Sequence, residues 1–165
     1  MKIHKRLQWV AIGFCILLLC GCAAMPMPGE QEIVKSPVIA PQDGKAMVYF
    51  FRESMFTGSG VSYYVFDGQE KIGASWTGCY FVAPISPGQH TFWGETEDKK
   101  YITLDIEPGK DYYISMAVTV GILCGLPEFS LVTGEVALPL IKNIDYCRLV
   151  KLPEGNMSPI PTGMP

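Results

Sequence analysis

The chain has 165 residues and a formal net charge of −3, with 48% hydrophobic and 18% charged residues. That length excludes a large multidomain enzyme. The composition excludes a disordered chain, which would combine low hydrophobicity with high net charge, and the lack of a basic block excludes a nucleic-acid binder. Six cysteines are too few for a disulfide scaffold, yet the mean hydropathy of +0.21 is high for a soluble domain.

The hydrophobic excess is concentrated at the start. Lys2, Lys5 and Arg6 precede a run from Leu7 to Leu19 that is apolar except for Gln8 and Gly13. A charged start, a short apolar run and then small residues make a secretory signal. The run is short of the roughly 20 residues that a membrane-spanning helix needs. It ends in Leu19-Cys20-Gly21-Cys22, which resembles a bacterial lipobox. The resemblance implies that the Cys22 thiol receives a diacylglycerol, that residues 1–21 are removed, and that the new amine is acylated by a fatty acid such as palmitate. Cys22 is the better acceptor because Gly21 precedes it; Cys20 follows the bulky Leu19. The competing readings are an uncleaved anchor helix from Leu7 to about Met25 and a plain cleaved signal. Two or more acyl chains make anchoring stable. By the same resemblance, Ala23 after the acceptor, where an Asp retains lipoproteins in the inner membrane, favours the periplasmic face of the outer membrane.

Residues 22–44 contain Pro26, Pro28, Pro37 and Pro41, which argue against helix or sheet. They read as a flexible tether, averaging roughly 25 Å end to end. Residues 153–165 carry four more prolines and no apolar periodicity, and read as a disordered tail. The folded domain is then 45–152.

Strand signals fill that domain. Ala46 to Phe51 is apolar on both faces, as a central strand requires. Val61–Phe66 and Gln69–Trp76 flank Asp67-Gly68, a strong hairpin signal. Cys79–Ala83 and His90–Glu95 flank Ser86-Pro87-Gly88-Gln89. Tyr101–Glu107 alternates, with Ile102, Leu104 and Ile106 on one face, and Pro108-Gly109 leads into Asp111–Val120, where Tyr112, Ile114, Met116 and Val118 share a face. The two Pro-Gly segments read as similar turns of one antiparallel fold. Phe129–Thr133 and Ile144–Val150 complete the strand signals. Glu135–Asn143 is ambiguous, because Pro139 interrupts a helical pattern. The expectation is an all-β fold, a single antiparallel β-sandwich of about seven strands.

The segments Met47–Arg52, Phe66-Asp-Gly68, Lys71-Ile-Gly73, Gly78-Cys-Tyr-Phe81, Pro87-Gly-Gln-His90 and Gly109-Lys-Asp-Tyr-Tyr113 together resemble a domain-of-unknown-function family of small bacterial lipoproteins. Such domains are similar to PEGA and carboxypeptidase-regulatory sandwiches. The resemblance covers about residues 45–150 and implies a fold, without catalytic residues to transfer. Val118–Leu126 is a longer apolar stretch than that pattern contains.

Catalytic motifs are weak. Gly73-Ala-Ser-Trp-Thr-Gly78 is one residue too long for a nucleophile elbow. No Asp or Glu separates Ser75 from His90, the one histidine beyond the leader. If Pro87-Gly88 closed a two-residue hairpin, His90 would face Ile85 and lie about 20 Å from Cys79, too far for a dyad, so His90 reads as a strand or turn residue with a local hydrogen bond. Cys79, Cys124 and Cys147 are too scattered for zinc. Glu95-Thr-Glu97-Asp98 lacks the calcium-loop pattern and reads as a solvated hairpin tip balanced by Lys99-Lys100. Gly58-Ser-Gly60 lacks the lysine of a phosphate loop. At most one disulfide can form among Cys79, Cys124 and Cys147, spacing does not choose the pair, and buried free thiols are the favoured alternative.

Adjacent aromatics such as Tyr49-Phe50-Phe51, Tyr63-Tyr64, Tyr80-Phe81, Phe92-Trp93 and Tyr112-Tyr113 must divide between opposite strand faces. Half of them enter the core; the others pack elsewhere or form a sugar- or protein-binding face. The apolar Val118–Leu126 reads as a buried connection, with contact to lipid or a partner as the alternative.

The expected function follows: a lipid-anchored envelope protein whose domain binds or assists assembly without catalysis. The membrane is reached through lipid on Cys22, with a protein or glycan partner in the envelope. No catalytic, cofactor-binding or metal-binding residue and no cofactor is assigned. The alternatives are a glycan-binding module, which requires two or three coplanar exposed aromatics, and an envelope hydrolase, which requires Cys79, Cys124 or His90 in a cleft beside an acid.

Overall fold

A computed structural model describes residues 31–35 and 39–149. The leader, Cys22 and the 153–165 tail lie outside these residues. The strands are β1 (Gln31–Ile33), β2 (Ala46–Arg52), β3 (Tyr63–Asp67), β4 (Glu70–Ser75), β5 (Cys79–Ile85), β6 (Gly88–Glu95), β7 (Lys99–Ile106), β8 (Asp111–Thr119), β9 (Leu126–Val132) and β10 (Asp145–Leu149). Among the described residues one helix, α1 (Gly134–Ile141), precedes β10.

The fold is all-β, in two sheets. A six-stranded sheet has the order β1-β10-β5-β2-β8-β9, and a four-stranded sheet the order β4-β3-β6-β7. The expectation of about seven antiparallel strands is corrected on two counts. Ten strands are present among the described residues, and the larger sheet is mixed, because β2 pairs in parallel with β8 and β10 with β5.

The two Pro-Gly segments explain how this arises. Neither closes a hairpin. Ser86-Pro87 carries the chain from β5 in the large sheet to β6 in the small one, and Pro108-Gly109 returns it from β7 to β8. His90 therefore pairs with Leu104 on β7 and does not face Ile85 across a hairpin. The Asp67-Gly68 signal does close a hairpin, with Asp67 opposite Glu70 and Gly68 at φ +55°.

One apolar cluster joins the inner faces of both sheets. Ala46, Val48 and Phe50 of β2, Ile114 and Met116 of β8 and Phe81 of β5 meet Val65 of β3, Phe92 of β6 and Ile106 of β7. Phe50 stacks on Phe81 at 4.8 Å and meets the edge of Phe92 at 5.2 Å, favourable geometries for aromatic pairs. Gly73 of β4 lets the small sheet close over this core, since a Cβ there would come within 2.4 Å of the Phe81 ring on β5.

β2 is apolar on both faces because the large sheet is covered on its other side too. Phe51, Ala137 and Ile141 form a second cluster, with Tyr49, Tyr80 and Tyr113 packed against it. Helix α1 thus covers the outward-facing aromatics of β2, β5 and β8. Pro139 lies within α1, which resolves the ambiguous segment as helix. Pro139 lacks the N–H that would bond the Glu135 carbonyl, and the apolar face of the helix is held by packing instead.

The span read as a tether contains a strand. β1 pairs antiparallel with β10, Gln31 opposite Leu149 and Ile33 opposite Cys147, and Arg148 Nη2 lies 2.6 Å from Glu32 Oε2. Pairing with the chain's other end supplies what the proline-rich local sequence does not.

Candidate functional site

Because β2 and β8 are parallel, both run toward one pole of the molecule, where β8 extends past Arg52 to Thr119, and their starts mark the other. The two poles differ in chemistry.

The pole at the start of β2 holds a polar cleft of about 460 Å³, lined by Lys45, Asp67, Lys71, Ser86 and His90 over a floor that includes Ile72 and Ile85. His90 Nδ1 lies 2.7 Å from Asp67 Oδ2. A carboxylate only accepts, so the imidazole donates through Nδ1. In the neutral ring this leaves the Nε2 lone pair pointing away from the acid. The His90 ring also stacks beside Phe92. This histidine makes a tertiary contact 23 residues away, where a local hydrogen bond was expected. Ser86 is exposed in the same cleft, whereas Ser75 is wholly buried and cannot meet a substrate.

The opposite pole is apolar and held by polar groups beneath. Arg52, only 3% exposed, donates from Nη1 to the Val61 carbonyl at 2.7 Å and from Nη2 to the Gly58 carbonyl at 2.6 Å. Burial draws its pKa below the ordinary arginine value. The guanidinium thereby fixes the 53–62 loop. The Glu97 carboxylate does the same for the 120–125 loop. It accepts the N–H groups of Ile122 at 2.9 Å, Leu123 at 2.8 Å, and Cys124 and Gly125 at 2.5 Å each. Desolvation acts upward on this carboxyl, but the four donors outweigh it and hold Glu97 below the usual carboxylate value. Thr96 Oγ1 donates to the Gly125 carbonyl from the same turn. Glu97 was expected in a solvated hairpin tip; the tip is present, and its central carboxylate is taken up by a loop 25 to 28 residues away.

The stretch read as a buried connection is an exposed loop. Phe56 is 98% exposed, Ile122 94%, Val120 84% and Leu123 81%, the four most exposed large apolar side chains among the described residues. Val118 joins the two loops, since a Cβ on Gly58 would meet its Cβ at 2.9 Å and one on Gly125 its Cγ1 at 2.7 Å.

No known family model matches this chain, and no curated protein and no solved structure matches it.

The cysteines sort differently from any catalytic set. Cys79 on β5 and Cys147 on β10 form a disulfide, with Cα atoms 5.6 Å apart. Cys124 is the free cysteine among the described residues, half-buried in the 120–125 loop. Cys79 lies at the Arg52 pole and His90 in the cleft at the other, so the structure does not bring them together. No group of three or more His, Cys, Asp or Glu residues suited to a metal occurs among the described residues. Within the same residues, no helix is long and apolar enough to cross a membrane.

A row of further aromatics lies on the outer face of the small sheet. Phe66 and Trp93 stack on each other at 4.2 Å with planes 10° apart. Lys71 Nζ sits 3.7 Å from the Tyr64 ring centroid and Lys99 Nζ 3.9 Å from that of Trp93. Phe66 and Trp93 each spend a ring face on the other, and the lysines cover Tyr64 and Trp93. Tyr101 alone of this row is largely exposed.

Proposed function

We propose that this protein is a lipid-anchored component of the bacterial cell envelope, attached through acylated Cys22 to the periplasmic face of the outer membrane. Its domain, a β-sandwich related in architecture to PEGA and carboxypeptidase-regulatory domains, acts there by binding or by assisting assembly rather than by catalysis. The observation that carries this reading is the Cys79–Cys147 disulfide in a chain whose residues 19–22 resemble a lipobox. Disulfides persist in the oxidising compartments that a lipoprotein signal leads to and are rare in the cytosol. The stacked and lysine-covered aromatics favour a protein or lipid partner over a glycan.

The test is metabolic labelling with palmitate in a Gram-negative host, followed by membrane separation. Wild type incorporates label and fractionates with the outer membrane, while Cys22→Ala incorporates none. Unlabelled wild type would remove the basis of the proposal.

One observation favours a second reading, an envelope hydrolase. His90 sits in a cleft beside Asp67, the pairing that orients an imidazole as a general base. Ser86, in the same cleft, is the nucleophile such an enzyme would use. A panel of activated esters decides: turnover lost in both His90→Ala and Ser86→Ala supports this reading, and turnover equal to the buffer rate discards it.

A further inference from the structure

The apolar pole has a construction that a merely solvent-exposed loop does not need. Two loops project their apolar side chains outward, and residues 54–61 and 118–126 contain no formal charge. Exposures of 81–98% at Phe56, Val120, Ile122 and Leu123 describe convex tips rather than walls of a groove. Apolar surface of this kind in water is unfavourable, so it calls for a covering.

Much of the backbone beneath the tips is bonded within the protein. Glu97 takes the four N–H groups of residues 122–125, Thr96 satisfies the Gly125 carbonyl, and Arg52 satisfies those of Gly58 and Val61. Ser59 N–H returns to the Phe56 carbonyl and Val61 N–H to that of Gly58. A loop facing water can leave such groups to solvent; bonding them within the protein lowers the cost of carrying irregular backbone toward the acyl chains, where water is scarce.

We infer that the 53–62 and 120–125 loops form a two-pronged apolar wedge that enters the surface of a lipid bilayer, with Phe56, Val120, Ile122 and Leu123 as its tips. Convex tips suit a fluid acyl boundary, whereas a protein partner would need a separate pocket for each. Position also agrees. β1 begins opposite Leu149, toward the cleft pole, and nine peptide steps separate Gln31 from Cys22, a reach of at most about 30 Å. From the level of Gln31 to the Arg52 pole is about four strand residues, roughly 13 Å, plus the height of the loops. The wedge therefore reaches the same leaflet as the anchor, with the domain lying over on its side. This placement rests on the membrane attachment proposed above, while the wedge itself rests on the loops.

The experiment uses the full chain, expressed with its own leader, purified in detergent and reconstituted into phosphatidylethanolamine–phosphatidylglycerol vesicles with and without brominated acyl chains. Tryptophan is introduced singly as Ile122→Trp, Phe56→Trp and, on the exposed outer face of β7, Tyr101→Trp. Insertion to the headgroup–acyl boundary predicts that brominated lipid removes about half of the added emission at positions 56 and 122 and little at position 101. Equal, weak quenching at all three positions overturns the wedge, and is the result a protein partner would give. Intact mass of the same samples reports acylation. An acylated chain with unquenched loops keeps the anchor and discards the wedge. A chain without acyl groups but with quenched loops does the reverse. Two loop positions keep the result decisive if one variant fails to fold.

Discussion

Asp67 Oδ2 and His90 Nδ1 lie 2.7 Å apart, joining the end of β3 to the neighbouring strand β6. The two side chains are 17% and 20% exposed, so water only partly screens the contact. Asp67→Asn keeps the shape and removes the charge. The expected cost is about 1 kcal/mol, which for a domain of this size lowers Tm by about 4 °C. Thermal unfolding followed by circular dichroism checks it, and an unchanged Tm would mean the pair contributes nothing.

The Glu97 carboxylate organises the 120–125 loop only while ionised. Its folded-state pKa is depressed, so its contribution is fully present above the unfolded-state value of about 4 and is lost as pH falls through the lower folded-state value. The amide resonances of Ile122, Leu123, Cys124 and Gly125 should therefore shift together in the acid range, below the ordinary carboxylate titration. In Glu97→Gln that transition disappears, and the four amides exchange with solvent faster at neutral pH. Exchange rates unchanged by the substitution would show that the loop is ordered without the carboxylate.

Local patterns and flanking turns mark segments that overlap β2 to β10, although they were expected to make only about seven strands. Ile102, Leu104 and Ile106 face the core as their alternation requires. What local pattern does not encode is the partner of each strand. Pro87-Gly88 and Pro108-Gly109 announce turns, but whether a turn closes a hairpin or crosses between sheets depends on which strand waits on the far side. β1 was hidden for the same reason, since three residues among prolines become a strand only by pairing with β10, at the other end of the domain. The cysteine pair rests on β5 and β10 being neighbours. The functional poles were least legible. Glu97 meets four backbone N–H groups, and backbone donors leave no mark on side-chain identity. Asp67 lay in plain view as part of a turn signal, and its pairing with His90 depends on β3 lying beside β6.

Arg52 is a buried cation spanning two loop carbonyls. Its planar fork reaches Gly58 and Val61 at once, and a lysine ammonium on a single stem does not reproduce that geometry. Arg52→Met should cost about 2 kcal/mol by leaving two acceptors to find water. Arg52→Lys should restore only part of it. Urea midpoints measure both, and accelerated proteolysis within residues 54–61 should accompany the loss. A methionine variant as stable as wild type would mean that burying the guanidinium costs as much as its two hydrogen bonds return.

The Cys79–Cys147 bridge closes the longest covalent loop in the described chain, with a sequence separation of 68. It ties β10 to β5, and β1 is joined to the sheet through β10. By the chain-entropy account, a loop of this length stabilises the fold by about 4 kcal/mol. Cys79→Ala with Cys147→Ala should lower the urea midpoint by that amount of free energy, and reduction of wild type with dithiothreitol should approach the same value. The loss has a direction in space as well as a size. β10 meets β5 over only two residue pairs, Asp145 with Cys79 and Tyr146 with Tyr80. The β1–β10 edge should therefore exchange its amides well before the β2–β8 centre does. Exchange that rises uniformly across the large sheet would mean that the bridge acts on the unfolded chain alone and that the edge is held by its hydrogen bonds and by the Arg148–Glu32 pair.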